Sequence, residues 1–126
     1  EMKSTKGRKP EDLRTRTKSL ALRVIKMYGK LPKSTEAQVI GRQVLRSGTA
    51  VGANYREAYR ARSDAEFISK MGDCLKELDE TAYWFELLVE GEIVKAEQLA
   101  SLQDEVNQLI AIFVTIIKKR KRNLKE

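Results

Sequence analysis

SDAEFISKMGDCLKELDETAYWFELLVE, residues 63–90, is the stretch on which the fold turns. It opens on Ser63-Asp64-Ala65-Glu66, a capping-box pattern. The serine oxygen can accept from an early backbone N–H while the glutamate three residues later reaches back to the cap. Phe67, Met71, Cys74, Leu75, Leu78, Ala82, Phe85 and Val89 then form one stripe at steps of three and four, the period of a helix. Such a helix is about 40 Å long at roughly 1.5 Å per residue, and its apolar side needs other helices to cover it. Tyr83 and Leu87 lie one turn apart, nearly opposite the stripe, with Trp84 on their flank. That patch exceeds what one chain's fold needs, so these three residues are candidates for an oligomer interface.

The same period extends outward in both directions. Upstream, Ile40, Val44, Ser47 or Gly48, Val51, Tyr55 and Ala58 follow a Thr35-Glu36-Ala37-Gln38 capping pattern, with Ser34 as the alternative cap. Gly48 and Gly52 fall inside this segment, where each costs up to about 1 kcal/mol relative to alanine. A packing groove for a neighbouring helix would explain them. Earlier still, Leu13, Thr17, Leu20, Val24 and Met27 mark a helix after Pro10, which Gly29 stops and Leu31-Pro32 leads into an extended link. Downstream, Leu99, Leu102, Val106, Leu109, Phe113 and Ile116 repeat the spacing. From Leu109 to Ile117 the chain is apolar all round except for Thr115, so burial on several sides is expected. Short links between four such segments predict an all-α, antiparallel up-and-down four-helix bundle with helices near 11–29, 35–61, 64–90 and 95–121. Residues 1–10 are expected to be a flexible basic lead, 11–122 the bundle and 123–126 a tail.

Composition narrows the chemistry. The 126 residues contain one cysteine, Cys74, and no histidine. This excludes disulfide frameworks, imidazole or thiolate zinc sites, and catalysis that needs histidine. Glu77, Asp79 and Glu80 on one helix read as a solvated acidic face, and no metal or cofactor is expected. The net charge of +7 is unevenly spread. Residues 1–33 hold 11 basic and 3 acidic side chains, residues 34–62 hold 5 and 2, residues 63–91 hold 2 and 8, and residues 92–126 hold 7 and 5. The basic front and the acidic middle could solvate separately, pair within the chain, or pair between subunits. No leader or membrane span is legible in these residues, and a cytoplasmic location is expected.

The run Gln43-Val44-Leu45-Arg46-Ser47-Gly48-Thr49-Ala50-Val51-Gly52-Ala53-Asn54-Tyr55-Arg56-Glu57-Ala58 is more specific than any periodicity. It closely resembles the signature of the four-helix bundle family known through proteins encoded in intervening sequences of bacterial 23S ribosomal RNA genes. Arg62-Ser63, Glu66-Phe67, Lys76-Glu77-Leu78-Asp79-Glu80-Thr81 and Tyr83-Trp84-Phe85-Glu86-Leu87-Leu88 continue the likeness, which covers roughly residues 12 to 121. The resemblance implies a homopentameric ring. It also implies a fold relationship to the accessory variability determinant of diversity-generating retroelements, a basic pentamer that associates with a reverse transcriptase and nucleic acid. It brings no catalytic residues. Asn54 and Glu57 keep the family's positions, whereas Arg56 departs from the Asn-Ile-Ala-Glu-Gly version common in relatives. Asn54, Glu57, Ser63 and Glu66 thus form a structural signature. The first two read as a hydrogen-bonded pair, or as partners of Arg46, Arg60 or another helix.

For nucleic acid the candidates are Arg14, Arg16, Lys18, Arg23 and Lys26 on the first helix, then Arg42, Arg46, Arg56, Arg60 and Arg62 on the second. The closing run Lys118, Lys119, Arg120, Lys121 and Arg122 completes the set. Arginine's planar fork suits phosphate, and no base-reading module is visible, so contact by phosphate and shape is expected. Two functions fit. One is a non-enzymatic homo-oligomeric scaffold that engages structured RNA or a reverse-transcriptase-like nucleoprotein, with no membrane and no small-molecule substrate. The other is a protein–protein module whose charges serve solubility and assembly alone.

Overall fold

The structure is a computed structural model that describes residues 10–125. They form α1 (Pro10–Gly29), α2 (Thr35–Tyr59), α3 (Asp64–Glu90) and α4 (Ala96–Lys125), with no strand among the described residues. The links are too short for any crossover, so successive helices run antiparallel and make a four-helix bundle. The segment assigned to residues 1–10 lies outside the described residues except for Pro10, where α1 begins.

The helix ends follow local chemistry. Ser63 caps α3 as expected, its oxygen accepting from the Glu66 N–H at 3.0 Å. Glu66 reaches one residue beyond the cap, to the Arg62 N–H at 3.1 Å. At α2 the cap is Ser34 and not Thr35, accepting from the Ala37 N–H at 3.4 Å. Gln38 is drawn aside, donating to the Pro32 carbonyl at 2.8 Å while its amide oxygen accepts from the Tyr28 hydroxyl at 2.9 Å. α2 stops at Tyr59, two residues short of the expected end, because the N–H groups of Arg60 and Ala61 turn back onto the Glu57 and Ala58 carbonyls. α4 runs past 121 to Lys125 and absorbs most of the expected tail, because no glycine or proline follows to stop it. Its basic last turn also suits the negative end of the helix dipole. Glu126 lies outside the described residues.

Leu20 and Val24, Val44 and Val51, Met71 and Phe85, Val106 and Phe113 are all fully buried where the four stripes meet. On α3 the stripe is rotated slightly from the one expected. Thr81 and Leu88 are buried, whereas Phe67, Leu75, Ala82 and Val89 flank the core. A buried threonine is tolerated because its hydroxyl sits 2.7 Å from that of Ser47 and donates to the Glu77 carbonyl at 2.8 Å. On α4, Ile110, Ile112, Ile116 and Ile117 are only partly covered within this chain.

Gly48 and Gly52 form the packing groove. A Cβ at Gly48 would lie 2.9 Å from a Val24 methyl carbon, and one at Gly52 would lie 3.4 Å from the Thr17 carbonyl oxygen. α1 therefore seats closely on α2. The α1–α4 side differs, since those two helices approach closely at only a few positions. Polar side chains bridge that seam. The Arg16 guanidinium donates to both Glu105 carboxylate oxygens at 3.0 and 2.8 Å, and Arg23 donates to the Ser101 hydroxyl at 2.7 Å. No helix is long and apolar enough to cross a membrane among the described residues.

Candidate nucleic-acid interface

The antiparallel topology gathers the start of α1, the end of α2, the start of α3 and the end of α4 at one end of the bundle. Dividing each helix at its midpoint shows what this does to charge. Residues 10–19, 48–77 and 111–125, which make up this end, hold 14 basic and 7 acidic side chains. Residues 20–47 and 78–110, at the other end, hold 7 and 9. The bundle is polarised along its axis.

The sequence candidates sort accordingly. Arg14, Lys18, Arg56, Arg60, Arg62 and the run Lys118–Arg122 are brought together at the basic end. Arg23 and Lys26 lie at the opposite end, beside a recess lined by Met27, Pro32 and Ile93. Arg42 is exposed on α2, also in the half away from the basic end. Arg16 and Arg46 act as clamps between helices. Arg16 holds Glu105, and Arg46 on α2 reaches both Glu77 and Glu80 on α3. The hydrogen bond from Arg46 holds the Glu80 carboxyl below its ordinary range and raises the guanidinium's own affinity for its proton. Arg120 pairs with Asp64 at 2.8 Å and stacks over the Phe67 ring at 4.0 Å. Among the described residues, Lys18, Arg56, Arg60, Arg62, Lys118, Lys119, Lys121 and Arg122 make no ion pair.

Three adjoining recesses connect these groups. Arg14, Lys18 and Arg56 line one between α1 and α2. Arg56, Arg60, Arg62 and Lys70 line a second between α2 and α3, with Glu57 and Glu66. Arg62 belongs also to a third, larger cleft of about 820 Å³ at the tip of the bundle. Leu13, Ala58 and Ile116 contribute apolar surface there, the rings of Tyr55, Tyr59 and Phe67 line it, and Arg62, Lys119 and Arg120 bring positive charge. Tyr55 is 2% exposed and packs edge-on against Phe113 at 5.8 Å. Tyr59 is 41% exposed, and the Arg14 guanidinium sits 4.6 Å from its ring centroid. Because Arg120 pairs with Asp64, the first residue of α3, the end of α4 through Lys125 continues past the start of α3.

Three of the signature residues, Glu57, Ser63 and Glu66, have structural partners, and the expected hydrogen bond between Asn54 and Glu57 is not formed. Glu57 pairs with Lys70 on α3 at 2.7 Å, which raises the lysine's proton affinity, and Asn54 is half-buried one turn before it. Of the interface candidates, Tyr83 is 52% exposed and Leu87 half-buried. Trp84 turns inward against the core, where its indole N–H is buried with no hydrogen-bond partner among the described residues. Sequence reasoning missed Tyr59 and Phe67 as members of a charged cleft. The alternation Tyr55-Arg56 and Tyr59-Arg60 was a signal, since aromatic rings interleaved with arginines suit nucleic acid. Among the described residues no group of acidic and cysteine side chains converges to hold a metal ion.

Comparison with known proteins adds two findings. The model of a family described as 23S rRNA-intervening sequence protein matches residues 11–115. Among solved structures, a crystal structure of a protein of unknown function from the S23 ribosomal protein family of Bacteroides thetaiotaomicron is similar. It is 37% identical, aligns over 86% of this chain and 97% of its own, and gives a TM-score of 0.81. No curated protein matches the sequence.

Proposed function

This chain belongs to the 23S rRNA-intervening sequence protein family, and from that premise we propose that it is a non-enzymatic, homo-oligomeric scaffold that binds structured RNA by its basic end. The observation that carries the reading is the continuous band of cations that make no ion pair among the described residues, Lys18, Arg56, Arg60, Arg62 and Lys119, running across the three adjoining recesses. Such a band neutralises phosphates and releases their counterions, which supplies affinity with little base selectivity.

Self-association is supported by the sides of the bundle. Leu22 and Ile25 on α1 are 58% and 51% exposed, with the exposed Lys26 beside them. Tyr83 on α3 is flanked by Asp79 and Glu86. A basic apolar strip and an acidic apolar strip on different faces suit head-to-tail contacts between copies, the arrangement that closes into a ring. A ring of five is the expectation from the family resemblance.

The test is fluorescence anisotropy of a labelled, folded RNA at 50 and 200 mM salt, with multi-angle light scattering alongside. Six phosphate contacts would weaken binding about a thousandfold between these salts. The combined change Arg56→Glu, Arg60→Glu and Arg62→Glu should abolish binding and leave the particle mass unchanged. Absence of binding at 50 mM salt would overturn the RNA reading. A smaller particle in the triple variant would make these arginines assembly residues.

A further inference from the structure

Phosphate binding leaves the cleft at the tip of the bundle unexplained. A duplex backbone touches charges on a surface and has no use for a recess of about 820 Å³ whose lining includes Leu13, Ala58 and Ile116. Volumes of roughly 300–1,000 Å³ are those of pockets that enclose a small organic group. The electrostatics select the group. Among the described lining residues the one carboxylate, Asp64, is already paired with Arg120, while Arg62 and Lys119 have no ion pair among the described residues. A cationic or neutral ligand would gain nothing from that pair, and a bare anion would gain nothing from the apolar lining. The fitting occupant is flat and apolar at one end and anionic at the other.

We propose that the cleft receives an unpaired nucleotide of the bound RNA, its base against the rings of Tyr59 and Phe67 and its phosphate between Arg62 and Lys119. This rests on the RNA reading and specifies the class of RNA, one with a bulged, looped or terminal nucleotide free to leave the stack. The rings are positioned for it. Tyr59 keeps 41% of its surface exposed while Arg14 supports the ring. Phe67 is held by the Arg120 guanidinium, which Asp64 in turn fixes. Every base has a π-face, so such a site recognises an unpaired base without reading its identity.

Three labelled RNAs with equal numbers of phosphates test this at 50 mM salt. One is a perfect duplex, one carries a two-nucleotide uridine bulge, and one carries the same bulge without bases. The expected result is about five- to a hundred-and-fiftyfold tighter binding of the uridine bulge than of the other two, the range for one stacked base. Tyr59→Ala, checked for helicity by circular dichroism, should bring the uridine bulge down to the perfect duplex, and Tyr59→Phe should keep the preference. With 5-iodouridine in the bulge, photo-crosslinks should map to Tyr59 or Phe67. Equal binding of all three RNAs, or a preference that survives Tyr59→Ala, overturns the nucleotide cleft and leaves the phosphate interface standing. No binding of any of the three overturns the RNA reading and the cleft assignment together. Tighter binding of the baseless bulge than of the uridine bulge would make the cleft a site for flexible backbone and overturn the stacking.

Discussion

A methyl group added at Gly48 would meet a fully buried, branched neighbour, whereas one added at Gly52 would rest in ordinary contact with α1. Both substitutions gain about 1 kcal/mol of helix propensity. At Gly48 this is outweighed by overpacking, which costs about 1–3 kcal/mol when a rigid core cannot yield. Urea denaturation should therefore show Gly48→Ala less stable by about 1 kcal/mol and Gly52→Ala equal to the parent or up to about 1 kcal/mol more stable. The two glycines look alike in sequence. Only the identity of the opposing residue, Val24 or Thr17, separates them. Cys74 makes a second residue-scale case. Burial, with nearby Asp73 a lesser cause, pushes its thiol up to about 12. The unfolded chain gives up that proton near pH 8.5–9, so above this the unfolded state holds fewer protons than the fold. Stability from this group is complete below pH 8 and declines as pH rises towards 12, by at most about 1.4 kcal/mol per pH unit. Cys74→Ala removes that slope, so the difference between the two proteins' denaturation midpoints should shrink between pH 8 and 10.5.

Helix existence was legible because each stripe repeats over many turns and because serine caps and the Leu31-Pro32 break are local signals. Two helix ends departed from expectation. α2 stops early where the Arg60 and Ala61 N–H groups turn back onto the Glu57 and Ala58 carbonyls, and α4 runs on because it meets nothing that would stop it. The link after α3 was harder still to foresee. Glu92 adopts the left-handed conformation, at φ 61°, where glycine is usual, although Gly91 is its neighbour. The joints between elements differ in kind. α1 and α2 meet by close packing on glycine, while α1 and α4 meet through the Arg16–Glu105 bridge, whose side chains are 16% and 19% exposed. A half-buried, two-point ion pair of this sort contributes about 1–2 kcal/mol. Arg16→Gln should lower stability by that amount, and hydrogen exchange should quicken in α1 before it does in α3. Equal acceleration in every helix would mean that the seam has no independence from the rest of the core.

At the scale of the molecule, the basic residues were plain in the sequence, but their usefulness was not. Arg16 and Arg46 looked as available as Arg56 and Arg60. Their carboxylate partners lie on other helices, 89 residues away for Glu105 and 31 and 34 away for Glu77 and Glu80, so only the assembled bundle separates clamps from open cations. Long-range pairing likewise makes the cleft, whose lining comes from all four helices. The polarisation of charge along the axis has a consequence for how a partner is met. A body with its positive charge at one end carries a large electric moment, and the field of a polyanion exerts a torque on it before contact. The protein would arrive already turned tip-first, and many diffusional encounters would be correctly oriented. Added salt would shorten the reach of that torque, slowing capture at separations where no phosphate is yet touched.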